Sequence, residues 1–445
     1  MTDPVPRALP RPSPAQRWLA LVLVSVAMFG NYYVYDAFGP VVDLLREQEG
    51  FTYDQISMVF SAYSVAAVVV LLIGGYVIDR WGTKRSIALF AAICLAAAAL
   101  MASTARFETM LAGRFLLGIG AEPLIVAATA ALAKWFKGKE LSFAFGINLS
   151  IARLGSASAD WSTSFASGLY ANWQDPLWLA TGVATVGLTA AMLYWMVEAR
   201  LEGRVDLGEA AATDRLELKG MYAFSASYWY IVGLCVVFYS TVFPFRAFAI
   251  DYFQQAHGLA RETAGMLSSL LPVAAIIVTP LFGLWVDRVG RRSLFMAIGS
   301  LAMLPLFLLV TYAPPGPDIP MPFTDGTRVP LTLLVVMLML GGVFSLIPAV
   351  MWPAVAYIVR ESRLGSAYSM MTLCQQVGVA LVPLVVGRFN TAFGAGPEHP
   401  AGYAPGMWFY TALAALGLLF SYLLWRAESG PAAHGLEYPS GEKPA

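Results

Sequence analysis

Two of the charged residues in this chain stand where membrane-spanning sequence avoids charge. Glu122 and Arg153 lie within GRFLLGIGAEPLIVAATAALAKWFKGKELSFAFGINLSIARLG, residues 113–155, each inside a long apolar run. A charged side chain at the centre of a bilayer costs about 3 kcal/mol or more, so it normally faces a cavity or a partner. Glu122 precedes Trp135 by 13 positions, and Arg153 follows Glu140 by 13. At about 1.5 Å of rise per residue, both sit roughly 20 Å from the loop joining their helices, at one depth near the midplane. A guanidinium fork matches a carboxylate, and a carboxylate accepts from an ammonium. The pair therefore suits a solute carrying both charges, such as an amino acid or short peptide. A second reading stays open, in which Glu122 and Arg153 pair with each other and hold two helices together.

The elements that must position them follow from composition. The chain is 58% hydrophobic and only 13% charged, where a soluble domain carries about a quarter charged residues. It is expected to be an all-α integral membrane protein. Runs of about 20 residues or more, enough to cross the hydrocarbon as helices, fall near 17–38, 54–79, 86–104, 107–135, 140–170, 177–199, 224–253, 262–287, 293–313, 329–358, 363–392 and 404–426. They lack the two-residue alternation of a membrane barrel. The first run is too long for a signal-peptide core and is expected to be retained.

Short cytoplasmic loops carry excess Lys and Arg. Alternate connections hold twenty such residues against five, which puts both termini in the cytoplasm. The expected organisation is a tail (1–16), a six-helix bundle (17–199), a cytoplasmic linker (200–223), a second six-helix bundle (224–426) and a C-terminal tail (427–445). The Pro- and Gly-rich stretch 313–328 reads as an ordered outer loop. Richness in Ala, Gly and Arg suits a high-GC bacterium, hence a bacterial inner membrane.

Other chemistries find no support in the sequence. Cys94, Cys235 and Cys374 are far apart in apolar runs, and His257, His399 and His434 lie outside them. No metal site or cofactor is expected from these residues. The net charge is zero, so no nucleic-acid footprint is visible. No zinc-protease motif, nucleophile–histidine pairing or paired catalytic carboxylates occur, so an enzyme is not expected.

The halves repeat. GGYVIDRWGTKR (74–85) follows the second run and FGLWVDRVGRR (282–292, beginning at Phe282) follows the eighth, each with the pattern G-x-x-x-D-R-x-G. This duplication resembles the major facilitator superfamily, whose twelve helices form two six-helix bundles. The resemblance implies alternating access, with Asp79, Arg80 and Arg85 forming a cytoplasmic latch and Asp287 and Arg288 its counterpart. The plainer reading is that these basic residues only serve orientation. Arg114 with Gly118 matches the superfamily's helix-4 G-R-x-x-x-G and implies packing and gating.

A narrower resemblance follows from GRFLLGIGAEP, KWFKGKELSFAFG, LSIARLGS, YYVYD, VFPF, WPAVAYIV and LGSAYS. These are similar to the lysosomal dipeptide-transporter branch of the superfamily, which implies that Glu122 faces a peptide's amino terminus and Arg153 its carboxylate. The substrate is then a dipeptide or other small zwitterion, and membrane lipid is the other partner. The accessory subunit of the animal proteins maps onto no residue here. Tyr63, Tyr239 and Trp352 suit a cavity wall or plain packing. Asn148 and Gln375 suit substrate contact or helix joining. Asp36, at the outer end of the first span, reads as an outer-gate residue. Asp160, two turns outward of Arg153, is a candidate partner for it. Arg246 and Asp251 depart from the branch pattern and read as a structural pair or as charges that alter the pocket. Pro123 is expected to kink its helix.

Neither the E-x-x-E-K/R pattern of proton-coupled oligopeptide transporters nor the G-P-x-x-G-G pattern of drug/proton antiporters occurs. A uniporter or exchanger is expected, with a proton-coupled organic-anion porter as the alternative.

Overall fold

The structure, a computed structural model, describes residues 10–71, 74–136, 140–207, 224–314, 316–320, 327–360, 363–431 and 433–439, with backbone alone for 74–76 and 79. Most of the linker therefore lies outside the described residues. The helices are α1 (Pro14–Asp36), α2 (Val42–Glu49), α3 (Tyr53–Leu71), α4 (Gly74–Ser103), α5 (Phe107–Phe136), α6 (Leu141–Phe165) and α7 (Gln174–Leu201). They continue with α8 (Ala226–His257), α9 (Arg261–Val289), α10 (Arg292–Tyr312), α11 (Leu331–Ile358), α12 (Leu364–Ala392) and α13 (Ala404–Glu428). Two short antiparallel strands, β1 (Asp318–Pro320) and β2 (Arg328–Pro330), lie in the 313–328 region and at its end. Ser13 caps α1 in a capping box with Gln16, which satisfies backbone donors where the first span begins.

Eleven spans among the described residues are long and apolar enough to cross a membrane. The long helix left out is α6, whose Asn148, Ser150, Arg153, Ser156 and Asp160 lower its hydropathy. A helix polar on one face must turn that face to a cavity or a partner.

The helices form two bundles with one packing scheme. In the first, α1 packs on α6 and α7, α4 on α5 and α7, and α3 on α5. In the second, α8 packs on α12 and α13, α10 on α11 and α13, and α9 on α11. Each contact has its counterpart six spans later, as a duplication requires. Between bundles, α3 meets α12 and α6 meets α9, which is the same contact seen from either half.

The duplicated motif has a common backbone cause. Its final glycine is Gly82 in one half and Gly290 in the other, at φ 75° and φ 69°. A side chain is disfavoured in that left-handed region, so glycine lets the chain reverse tightly between spans. The hairpins then bind locally. Lys84 pairs with Glu202, and Thr83 and Lys134 both reach Glu198 on α7. Arg292 pairs with Asp287 at 3.0 Å and donates to Tyr357 and to the carbonyls of Leu436 and Tyr438.

The bundles are bolted together at the end opposite these basic loops. Arg261 on α9 grips Asp43 on α2 with two bonds, at 2.6 and 2.5 Å. Arg46 and Tyr53 both bond buried Asp251 on α8, at 3.3 and 2.7 Å, and Tyr403 joins through Tyr53. Phe60 stacks edge-on against Phe248 with centroids 5.3 Å apart. Desolvated charge pairs with apolar packing around them make this end a closed seam.

Candidate functional site

A cavity of about 540 Å³ lies between the bundles, within the size range of small-molecule sites. Four helices of the first bundle (α1, α3, α5, α6) and their four counterparts of the second (α8, α9, α11, α12) line it.

Glu122 and Arg153 both line this cavity, as the spacing predicts. Glu122 Oε1 accepts from Tyr63 Oη at 2.9 Å and from Gln376 Nε2, across the bundle interface, also at 2.9 Å. Both bonds fall on one oxygen. Oε2 has no hydrogen-bond partner among the described residues and is not sealed from the cavity. Gly118 makes this possible, since a Cβ there would collide with the Tyr63 carbonyl and push α3 away from α5. α5 runs through Pro123 as one continuous helix.

Arg153 pairs with no carboxylate among the described residues. Its guanidinium lies 5.0 Å above the Phe344 ring on α11, a cation–π contact that leaves its in-plane donors free. The direct Glu122–Arg153 pair is thus not formed. Tyr32 stands within electrostatic reach of both.

Of the aromatic candidates, Tyr63, Tyr239 and Trp352 all reach the cavity wall. Trp352 Nε1 donates to Tyr239 Oη at 2.9 Å, so these two rings fix one another. Gln375 also lines the cavity and accepts from Cys235 Sγ. Its neighbour Gln376, which the sequence reading did not select, is the residue that bonds Glu122. Asn148 does not reach the cavity; it is buried and accepts from Ser25 Oγ at 3.1 Å, joining α6 to α1. A small polar pair at a helix crossing explains its place in an apolar run.

Three charge assignments are corrected. Asp160 pairs with Arg246 at 2.8 Å and not with Arg153. Arg246 also pairs with Asp36 and not with Asp251, which belongs to Arg46. Positions five apart on a helix point about 140° apart, so Arg246 and Asp251 face different neighbours. Asp36 and Arg246 both border the cavity and join the bundles there, beside the closed seam.

Arg114 is fully buried, donates to the Tyr35 carbonyl at 2.8 Å and lies among the Tyr35, Phe38, Phe60 and Tyr63 rings. It packs behind the Tyr63 that holds Glu122. Arg80, Arg85 and Arg288 are exposed on the basic loops. The side chain of Asp79 lies outside the described residues. Among those described, no group of His, Cys, Asp and Glu is arranged to hold a metal ion.

Comparison with known proteins places this architecture. The Major Facilitator Superfamily model matches residues 24–249 and 232–437. The human "Lysosomal dipeptide transporter MFSD1" is 29% identical over 437 residues, covering 94% of this chain and 88% of that protein. The "Probable sulfoacetate transporter SauU" of Cupriavidus necator is 24% identical over 358 residues, 77% of this chain and 80% of that protein. A solved bacterial homologue of the human lysosomal transporter Spinster superposes with a TM-score of 0.72 at 15% identity, covering 93% of this chain and 98% of that one.

Proposed function

Because this chain belongs to the major facilitator superfamily, as a multi-pass membrane transporter, we propose that it carries small zwitterionic solutes, dipeptides foremost, by alternating access. Glu122 receives the substrate ammonium and Arg153 its carboxylate. One observation carries this reading. A carboxylate oxygen and a guanidinium, both without ionic partners among the described residues, border one cavity without neutralising each other. Full-length similarity to a human protein named as a dipeptide transporter supports it. Charge-assisted bonds to both ends of a peptide discriminate against blocked ends, because each leaves a desolvated charge unmatched.

Transport is by uniport or exchange. Asp36, Asp160 and Arg246 gate the outer end, Arg114 stiffens it, and Asp79 with Arg80 and Arg85, echoed by Asp287 and Arg288, latches the inner end when the bundles rock back. The termini are cytoplasmic and the membrane is the bacterial inner membrane. In this reading the seam closes the outer face. Dipeptide-loaded proteoliposomes test the mode. Labelled dipeptide should accumulate transiently by counterflow with no proton gradient, and strict dependence on an imposed gradient would reject uniport.

A second reading, an organic-anion porter in which Glu122 handles a proton, draws on the unpaired Arg153 and the likeness to the probable sulfoacetate transporter. Uptake competed by monocarboxylates and untouched by dipeptides in hundredfold excess would select it.

A further inference from the structure

The two walls of the cavity differ in chemistry. The first bundle supplies the free charges, Glu122 and Arg153, with hydroxyls and amides around them. Facing them, the second bundle supplies Tyr239, Phe243, Phe344 and Trp352, with Pro348 and Ala349 between. These rings form one surface. Tyr239 lies 5.5 Å from Phe243 and 6.5 Å from Trp352, and Phe243 lies 6.2 Å from Phe344, centroid to centroid. The polar atoms of the wall are engaged within it, since Trp352 Nε1 donates to Tyr239 and Tyr368 donates to the Trp352 carbonyl. Those four aromatic residues present ring surface to the solute, with the uncharged Thr279, Thr372, Gln375 and Gln376 of the same bundle beside them. Among the described residues, the one cation of that bundle at the cavity, Arg246, is taken by Asp36 and Asp160.

We infer that the aromatic wall of the second bundle is the side-chain site, selecting dipeptides with uncharged apolar or aromatic side chains over glycine-rich and charged ones. This rests on the dipeptide reading. It adds that the ends of the solute are held by one bundle and its side chains by the other, so the solute itself spans the interface. Apolar side chains then contribute affinity and draw the bundles together, because apolar surface leaves water only when both walls touch it. A charged side chain meets no free counter-charge on that wall among the described residues and is disfavoured.

The test is binding by the full-length purified protein of four dipeptides of increasing burden: glycylglycine, leucylleucine, norleucyl-norleucine and lysyllysine. Leucylleucine should bind at least about tenfold tighter than glycylglycine, since each buried methylene contributes a few-fold. Norleucyl-norleucine should beat its charged near-isostere lysyllysine. Trp352→Ala should compress the leucine-to-glycine ratio toward one, and Phe243→Ala serves if that variant does not fold. A ratio is read because a loss of binding-competent protein lowers both affinities alike. Distances between spin labels on the two bundles should shorten with leucylleucine and move less with saturating glycylglycine. Equal binding of all four would overturn the side-chain site while leaving the dipeptide reading intact. Tighter binding of lysyllysine would instead make the wall a cation-binding cage. Binding of none would remove the dipeptide reading and this inference with it.

Discussion

Gln376 of the second bundle donates to Glu122 of the first at 2.9 Å, on the same oxygen that Tyr63 already occupies. The site carboxylate is thereby held from both sides of the interface with its second oxygen turned to the cavity. A hydrogen bond to a charged group contributes about 1.5–3 kcal/mol. Gln376→Leu is expected to weaken ligand binding about tenfold or more, measured by titration of the purified protein. Unchanged affinity would make the contact incidental.

Arg246 balances two carboxylates from the opposite bundle, all largely buried. Removing one partner of a buried ion pair costs about 3–5 kcal/mol when the remaining charge stays desolvated. Here the bundles can part and let water reach Asp36 and Asp160. Arg246→Ala is expected to lower the melting temperature and to lengthen label distances across the seam at that end. A variant with unchanged distances and stability would remove Arg246 from the gate.

Gly118 sets how closely α5 approaches the Tyr63 carbonyl on α3. Overpacking a tight contact costs about 1–3 kcal/mol. Gly118→Val is expected to destabilise by that order and to weaken ligand binding as well, because Tyr63 moves away from Glu122. Loss of stability with ligand affinity intact would separate the helix contact from the site.

Asn148 bonds Ser25 away from the cavity. Asn148→Ala is expected to cost about 1 kcal/mol of stability, with the ranking of ligands unchanged. A changed ranking in the same titrations would return Asn148 to the site.

The sequence disclosed those features that depend on local period and on depth. Twelve apolar runs, the doubled hairpin with its glycine, and the equal spacing of Glu122 and Arg153 from their shared loop are all one-dimensional signals. The partners of the buried charges are not. Arg246 meets Asp36 from 210 positions away, and no periodicity in α8 records which helix of the other bundle lies opposite. Proximity along the chain suggested Asp251 and proximity along a helix face suggested Asp160 for Arg153; both were overridden by packing between bundles. Gln375 and Gln376 show the same limit more finely. Neighbours on a helix point about 100° apart, both reach a wide cavity, and only the position of α5 decides which one meets Glu122.

In the proposed mode, Glu122 and Arg153 clamp the two ends of one solute. Ligand that binds only the folded state raises the apparent melting temperature by mass action. The direct measurement is therefore thermal stabilisation by free dipeptides, N-acetylated dipeptides and dipeptide amides, on the wild type and on Glu122→Gln and Arg153→Ala. Stabilisation is expected from free dipeptides alone, lost on blocking either end and lost in either variant. Stabilisation by carboxylates or N-acetylated peptides equal to that by free dipeptides, with Glu122→Gln indistinguishable from wild type, would contradict it.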